Sequence, residues 1–349
     1  MRISDRKDLL KLKRVLVVSA VSLLAVIGVI LVVYIRRTPV VYEDSEAFVM
    51  GTRLRVFLAS RKISADSLIE NVIKEFRRID AKFDPYREGS IIYKLNHSSG
   101  WVRVDKETFS LVETAVRYCY TTNGAFDPTI GRLIYLWGFA KFDERKNFRV
   151  PSKEEIEKAL SRSGCKKVKF NEDEMMIDTG GTWIDLGGIA KGYALERSYA
   201  LVKNLDPDAT GFIDIGGEIR IVGPKYGRAP WVIGVRDPRG SGAIDYLYLT
   251  KGAVATSGDY ERYFVVNGVR YHHILNPKDG YPARGARSVT VIADDAVTAD
   301  VYSTAGFVMA KDWRYVLVHF PEIGVQVMMV LDNGKIVKSD GFEYYEKQR

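Results

Sequence analysis

The hydrophobic pattern divides the chain into one unbroken apolar run and a long mixed remainder. Val15 to Ile35 is 21 residues without a formal charge, enough to cross ~30 Å of hydrocarbon at ~1.5 Å per helical residue. Beyond Pro39 there is no repeat or low-complexity linker. Ser64 to Phe83 sets Leu68, Val72, Ile73, Phe76 and Ile79 at helical spacing, with Ser64 or Asp66 as N-cap. Lys106 to Tyr120 repeats that period through Phe109, Val112, Ala115, Val116 and Cys119. Ser152 to Ser161 opens on a capping box, Ser152 with Glu155. Strands are expected elsewhere. Asn267-Gly268 and Asn333-Gly334 predict type I′ hairpin turns, because both residue types tolerate positive φ. Phe212 to Ile215, Gly216-Gly217 and Ile219 to Ile221 form a strand, tight turn and strand. Helices and strands do not alternate regularly, so the class is α+β with antiparallel sheets.

Charge changes the picture mainly at the N-terminus. Arg2, Arg6, Lys7, Lys11, Lys13 and Arg14 precede the apolar run, and only Arg36 and Arg37 follow it. That bias places residues 1–14 in the cytoplasm, a single-pass anchor at 15–35, and residues 36–349 outside the cell membrane. A cleaved signal would have a shorter apolar core and small residues at its end, whereas this run ends in Val32-Val33-Tyr34-Ile35. The whole chain carries a net charge of +8, but residues 1–14 hold +4 of it and Arg36-Arg37 another +2. The basic pI is therefore a topology signal, and nucleic acid is not an expected partner. The remaining 46% hydrophobic and 28% charged composition suits a globular core. Cys119 and Cys165 lie far apart without CxxC spacing, which excludes a zinc motif. One disulfide is permitted outside the cell, but Tyr118-Cys119-Tyr120 has the look of helix core, and two buried thiols are expected.

Four segments contain polar residues that a plain core does not need. In Gly124 to Gly131, Asp127 stands between Phe126 and Pro128, where it can cap a turn. In Ile184 to Ala194, a strand end carrying Asp185 runs through Gly187-Gly188 into a helix with Lys191 in its first turn. Glycines admit a ligand to the backbone, and helix N-termini suit phosphate. The third segment joins Ala255 to Tyr260 with Tyr271 to Pro277 and contains His272 and His273, which as strand neighbours face opposite sides. In the fourth, Thr298 to Ala305, Asp300 and Thr304 share a helical face. With a glycine-turn carbonyl they make an all-oxygen set suited to Mg²⁺, while the segment taken alone favours a helix-capping Asp and a core-facing Thr.

In this order the segments resemble the ApbE family of FAD:protein FMN transferases, from about Phe48 to Ala310. Met50-Gly51-Thr52, Asp84-Pro85-Tyr86, Ser90, Asn96 and Arg236-Asp237-Pro238 belong to the same resemblance. Where the family usually has Asp before Pro, this chain has Asn276. The resemblance implies a two-subdomain, T-fold-related α+β ectodomain with FAD between the subdomains. It implies FAD contacts at Met50, Tyr86, Ala125, Phe126, Asp127, Asp185, Lys191 and Ile274. The metal would be held by the Gly188 carbonyl and the Asp300 and Thr304 side chains. Ser303, ~100° around the helix from Thr304, stays outside the set. His273 would take the proton of an attacking hydroxyl, with Asp259 as a second candidate. The implied reaction is Mg²⁺-dependent transfer of FMN from FAD to a Thr or Ser of an acceptor protein, releasing AMP. Flavin-carrying subunits of membrane redox complexes are the implied partners. An FAD pyrophosphatase and a flavin-binding protein without turnover are the competing expectations.

Overall fold

The structure is a computed structural model that describes residues 13, 16–28, 41–140 and 148–346. Residues up to Val41 form one unit and Tyr42–Arg349 a second. In the first unit, residues 16–28 are helical with exposed side chains. The expected span 15–35 is thus described only in part, since 15 and 29–35 lie outside the described residues, as does most of the basic flank. Among the described residues no helix is long and apolar enough to cross a membrane.

The second unit is built on an eight-stranded sheet. Its strands, from edge to edge, are Glu43–Val49, Thr52–Ala59, Thr210–Ile215, Glu218–Gly223, Ala253–Gly258, Ala286–Ala293, Gln326–Leu331 and Ile336–Lys338. Every neighbouring pair in it is antiparallel. Alternation along each strand explains how the sheet is covered on both faces. Ala253, Ala255, Val291, Val327 and Met329 enter one apolar cluster, and Val254, Ile292, Met328 and Val330 enter another. The first face is covered by the helices Ala65–Phe83, Ala190–Leu205 and Ala296–Val308. The second cluster also takes Trp231, Val235, Leu247 and Leu249 from the hairpin Trp231–Arg236 and Ala243–Leu249. Because one sheet runs through the unit, 42–349 holds together as a single compact body rather than as two separable subdomains.

Several expectations are met in detail. The helices Ala65–Phe83 and Lys106–Thr121 occur with Ser64 and Asp105 at their N-caps. Ser152 accepts from the Glu155 N–H while Glu155 accepts from the Ser152 N–H, completing the capping box of Lys153–Leu160. Asn267 and Gly268 adopt φ of 50° and 76° between paired strands, as a type I′ turn requires. The second hairpin differs. Only Gly334 is left-handed, with φ 85°, and its N–H donates to the Leu331 carbonyl at 2.8 Å. Asp332 to Lys335 form a four-residue loop between the strands, so Asn333 need not leave the right-handed region.

The cysteines correct the expectation of free thiols. Cys119, at the end of Lys106–Thr121, is bonded to Cys165 with S–S 2.05 Å. Both residues are buried, as a core position demands, but the core in question is the seam between that helix and the Gly164–Lys167 turn. Spacing of 46 residues hid the pairing because only the fold brings the two segments together.

Candidate active site

The site forms where glycine-bearing turns meet two packed helices. Ala190–Leu205 begins directly after the Gly187-Gly188 turn and lies against Ala296–Val308. Gly192 is the contact point: a Cβ there would stand 2.9 Å from the Asp300 Cβ and would strike the Ala296 carbonyl. Its N–H donates to Asp300 Oδ2 at 2.9 Å. Gly188 is equally close, since a Cβ there would lie 3.3 Å from Thr304 Oγ1 and 3.1 Å from the Phe126 ring. The structure therefore brings together Phe126, Gly188, Asp300 and Thr304.

Lys191 points its ammonium at Glu218, which opens the strand after the Gly216-Gly217 turn. Burial opposes the lysine charge, but Glu218 and Asp300 outweigh it and hold Lys191 above its ordinary value. Glu218 is pushed up to about 8, first by burial and then by the Asp300 carboxylate. Asp300 is raised by its own burial, with Lys191 opposing. Glu218 is buried and shares a hydrogen bond with Asp300 that raises Glu218 and lowers Asp300, as a protonated Glu218 donating to the Asp300 carboxylate would. Glu218 and Asp300 share one ammonium in a place with little water, and a divalent cation there would favour the charged form of both carboxyls. The donor set of Asp300, Thr304 and the Gly188 carbonyl is all oxygen and so fits Mg²⁺. Ser303 is engaged elsewhere: its hydroxyl donates to the Asp300 carbonyl at 2.9 Å and meets Ser257 Oγ at 2.8 Å.

A second group surrounds Asp185. Its Oδ2 accepts from the Tyr86 hydroxyl at 2.5 Å and its Oδ1 from the Gly187 N–H at 2.8 Å. Burial raises Asp185, against these two donors, and burial with Asp185 raises Tyr86. Met50 holds φ 52° in the turn between the first two strands, its N–H bonded to the Asp80 carboxylate. Asp127 accepts from the Thr129 N–H at 2.7 Å and hydroxyl at 2.6 Å, so it caps its turn as the sequence suggests. It is raised by burial against those bonds. Its Oδ1 lies 3.1 Å from Cys165 Sγ. The two cysteines and Asp127 cluster closely enough for a metal, but sulfurs bonded to each other offer no thiolate. Ala125 is buried in the preceding turn, and Ile274 is packed in the core directly after His273.

The histidines separate as strand geometry requires. His272 is buried against Phe307, and its Nε2 bonds the Ala283 carbonyl at 2.9 Å while Nδ1 has no partner. His273 faces the other way, with Nδ1 3.3 Å from the Arg262 carbonyl. Because a carbonyl only accepts, Nδ1 bears the proton and Nε2 keeps its lone pair. Burial, then His272, Arg262 and Lys191, push His273 down to about 3. The unperturbed value of ~6.5 that sequence alone suggests does not survive burial beside Arg262 and Lys191, and the ring is neutral at pH 7. Asp259 is not free to act as a base: Arg239 grips both its oxygens at 2.7 and 2.6 Å. Glu218 and Arg262 are the site residues that sequence reasoning missed. Glu218 had a faint signal, an acid directly behind a Gly-Gly turn; Arg262 had none.

Comparison with known proteins gives this geometry a setting. The ApbE family profile matches residues 50–329. An FAD:protein FMN transferase of Treponema pallidum is 31% identical over 86% of this chain and 87% of its own length. One from Haemophilus influenzae is 29% identical over 83% of this chain and 87% of its own. The crystal structure of the ApbE protein of Thermotoga maritima superposes with a TM-score of 0.86 at 52% identity, covering 88% of this chain and 100% of that one. The flavin transferase ApbE of Vibrio cholerae gives 0.77 at 26% identity, covering 88% and 100%. With four fifths of its length under the family profile and a shared fold at this identity, the chain belongs to the ApbE family.

Proposed function

We propose that this chain is an FAD:protein FMN transferase that moves FMN from FAD onto a Thr or Ser hydroxyl of an acceptor protein and releases AMP. The observation that carries the reading is the convergence of Gly188, Thr304, Asp300 and Lys191 on one spot, with His273 within electrostatic reach of Lys191. A dinucleotide diphosphate needs such a place, and simple flavin storage does not.

Asp300, Thr304 and the Gly188 carbonyl would hold Mg²⁺, with Glu218 as the adjacent carboxylate. When bound, the ion neutralises charge on the attacked phosphoryl group and stabilises the departing phosphate. Lys191 supplies a fixed positive charge for the diphosphate, and its pairing with Glu218 keeps the ammonium oriented. The neutral His273 accepts the proton of the attacking hydroxyl at Nε2. A diphosphate beside it offsets the cations that depress the ring, which makes it a better base with FAD present than without. Tyr86, Asp185, Phe126 and Asp127 line the flavin and adenine contacts. Cleavage of the FAD anhydride drives the transfer, so no ATP is required.

The acceptors we infer are flavin-bearing subunits of membrane redox complexes, met on the outer side of the membrane. The basic flank and apolar run support an N-terminal anchor with residues 36–349 outside. The Cys119–Cys165 bond supports the same side, since disulfides persist in oxidising compartments. The test is incubation of the protein with FAD, Mg²⁺ and an acceptor subunit, followed by mass spectrometry. An acceptor heavier by one FMN is the expected product. Free FMN and AMP with an unmodified acceptor identify a hydrolase, and intact FAD identifies a binder; either result overturns the proposal.

A further inference from the structure

A cleft of about 450 Å³ lies beside the proposed FAD site and is used by nothing described so far. Its walls come from the helices Gly131–Trp137 and Lys153–Leu160 and from Trp183. Two of the segments that contact FAD in the proposal run straight into it. Asp127 is followed by Gly131-Arg132, and Trp183 stands two residues before Asp185. Ile130 and Trp183 form a parallel bridge between the segments. Tyr135 of the cleft stacks at 6.5 Å on Tyr86, the tyrosine bonded to Asp185. The cleft and the flavin contacts therefore share a wall.

Its charge is one-sided. Among the described residues, Arg132, Arg149, Lys158 and Arg162 line it with Glu155 as the one acid, which leaves a net +3. Glu155 is already consumed by Arg149, which holds both its oxygens at 2.6 Å. Among the described residues Arg132, Lys158 and Arg162 have no acidic partner. Arg132 lies over the Trp183 ring at 4.5 Å with a buried Nε that bonds nothing. Burial and the nearby Arg162 lower Arg132 from its ordinary value, the mark of cations gathered without a counter-charge. Lys158, Arg162 and Tyr135 are exposed at the rim, and Trp183 is half-buried at the floor. Rim cations around an aromatic and guanidinium floor are the make-up of a protein-docking surface that steers an oppositely charged partner.

We propose that this cleft docks an acidic segment of the acceptor protein and so delivers its hydroxyl to the neighbouring FAD. The inference rests on the transfer reading above, because only a transferase must seat a second protein beside its nucleotide. A nucleotide or free phosphate could use the same cations, but a small anion bound at the Arg132 floor has no need of the exposed Lys158 and Arg162 at the rim.

The test uses the full chain and a fluorescein-labelled peptide with a central Thr flanked by Asp and Glu, against the same peptide carrying Asn and Gln. The acidic peptide should bind by anisotropy, roughly tenfold more tightly than its neutral counterpart, and should weaken as salt rises. Lys158→Glu with Arg162→Glu should abolish that preference, and Lys158→Gln with Arg162→Gln should reduce it, while FAD affinity stays within about twofold. Equal binding of both peptides, or an unchanged preference in both variants, overturns the proposal. So does loss of AMP or phosphate binding in the variants with peptide binding untouched. FMN transfer to the peptide Thr is read in the same samples. Charge-dependent docking without any turnover in wild type sinks the transfer reading alone, and turnover at equal rates in the charge-reversed variant sinks the cleft alone.

Discussion

Asp300 does two things with one carboxylate: Oδ2 accepts from the Gly192 N–H, and the group as a whole repels Glu218 across Lys191. Asp300→Ala should cut metal-dependent turnover by about 100-fold or more, with an unchanged circular dichroism spectrum; wild-type rates would refute its place in the metal set. Glu218→Gln should weaken the metal by roughly 10–100-fold, measured as the Mg²⁺ concentration for half-maximal rate. The first residue was legible because Asp300 and Thr304 are one helical turn apart. The second was not, because its partner Lys191 is 27 positions away and only the sheet brings them together. His272 carries a pH prediction. Burial lowers it from 6.5 to about 4. Between those values the unfolded chain takes up a proton that the folded ring refuses, so stability falls as the pH drops from 6.5 to 4 and levels off below. The loss from this ring is on the order of 3 kcal/mol. Urea midpoints across that range should slope less steeply in His272→Gln than in wild type.

At the scale of elements, local chemistry predicted what local chemistry controls. The capping box at Ser152 and the Asn267-Gly268 turn follow from neighbours within four residues, and both are present. Ser152→Ala should cost about 1 kcal/mol, read from thermal unfolding. The disulfide is the opposite case, invisible locally and set by tertiary packing. Closing a span of 46 residues restricts the unfolded chain by about 4 kcal/mol in the chain-entropy account. Cys119→Ser with Cys165→Ser should lower stability by about 2–4 kcal/mol. FAD affinity should fall as well, because Cys165 packs on Asp127 and the Gly164 N–H donates to Thr129 Oγ1, which itself bonds Asp127. Equal denaturation midpoints with and without reductant would show that the bond adds nothing.

Across the whole molecule, hairpin turns and the lack of regular helix–strand alternation told the antiparallel class, but not that a single sheet of eight strands would be covered on both faces. That information lies in which cluster each strand residue joins, as with Val254 against Ala253 and Ala255. The anchor is a prediction at this scale. Full-length protein should sediment with membranes and resist a carbonate wash, and protein lacking residues 1–37 should not. Full-length protein in the wash supernatant would remove the anchor. The close approach at Gly192 reaches furthest. With no side chain at Gly192 to hold the Lys191 helix off the Asp300 helix, the pieces proposed to grip the diphosphate and the ion are set against each other. Occupying either half organises the other, so the two ligands must help each other by an identical factor. Titrating FAD at rising Mg²⁺, and Mg²⁺ at rising FAD, should return the same cooperativity, and widening the seam with Gly192→Ala should make the two bind as strangers.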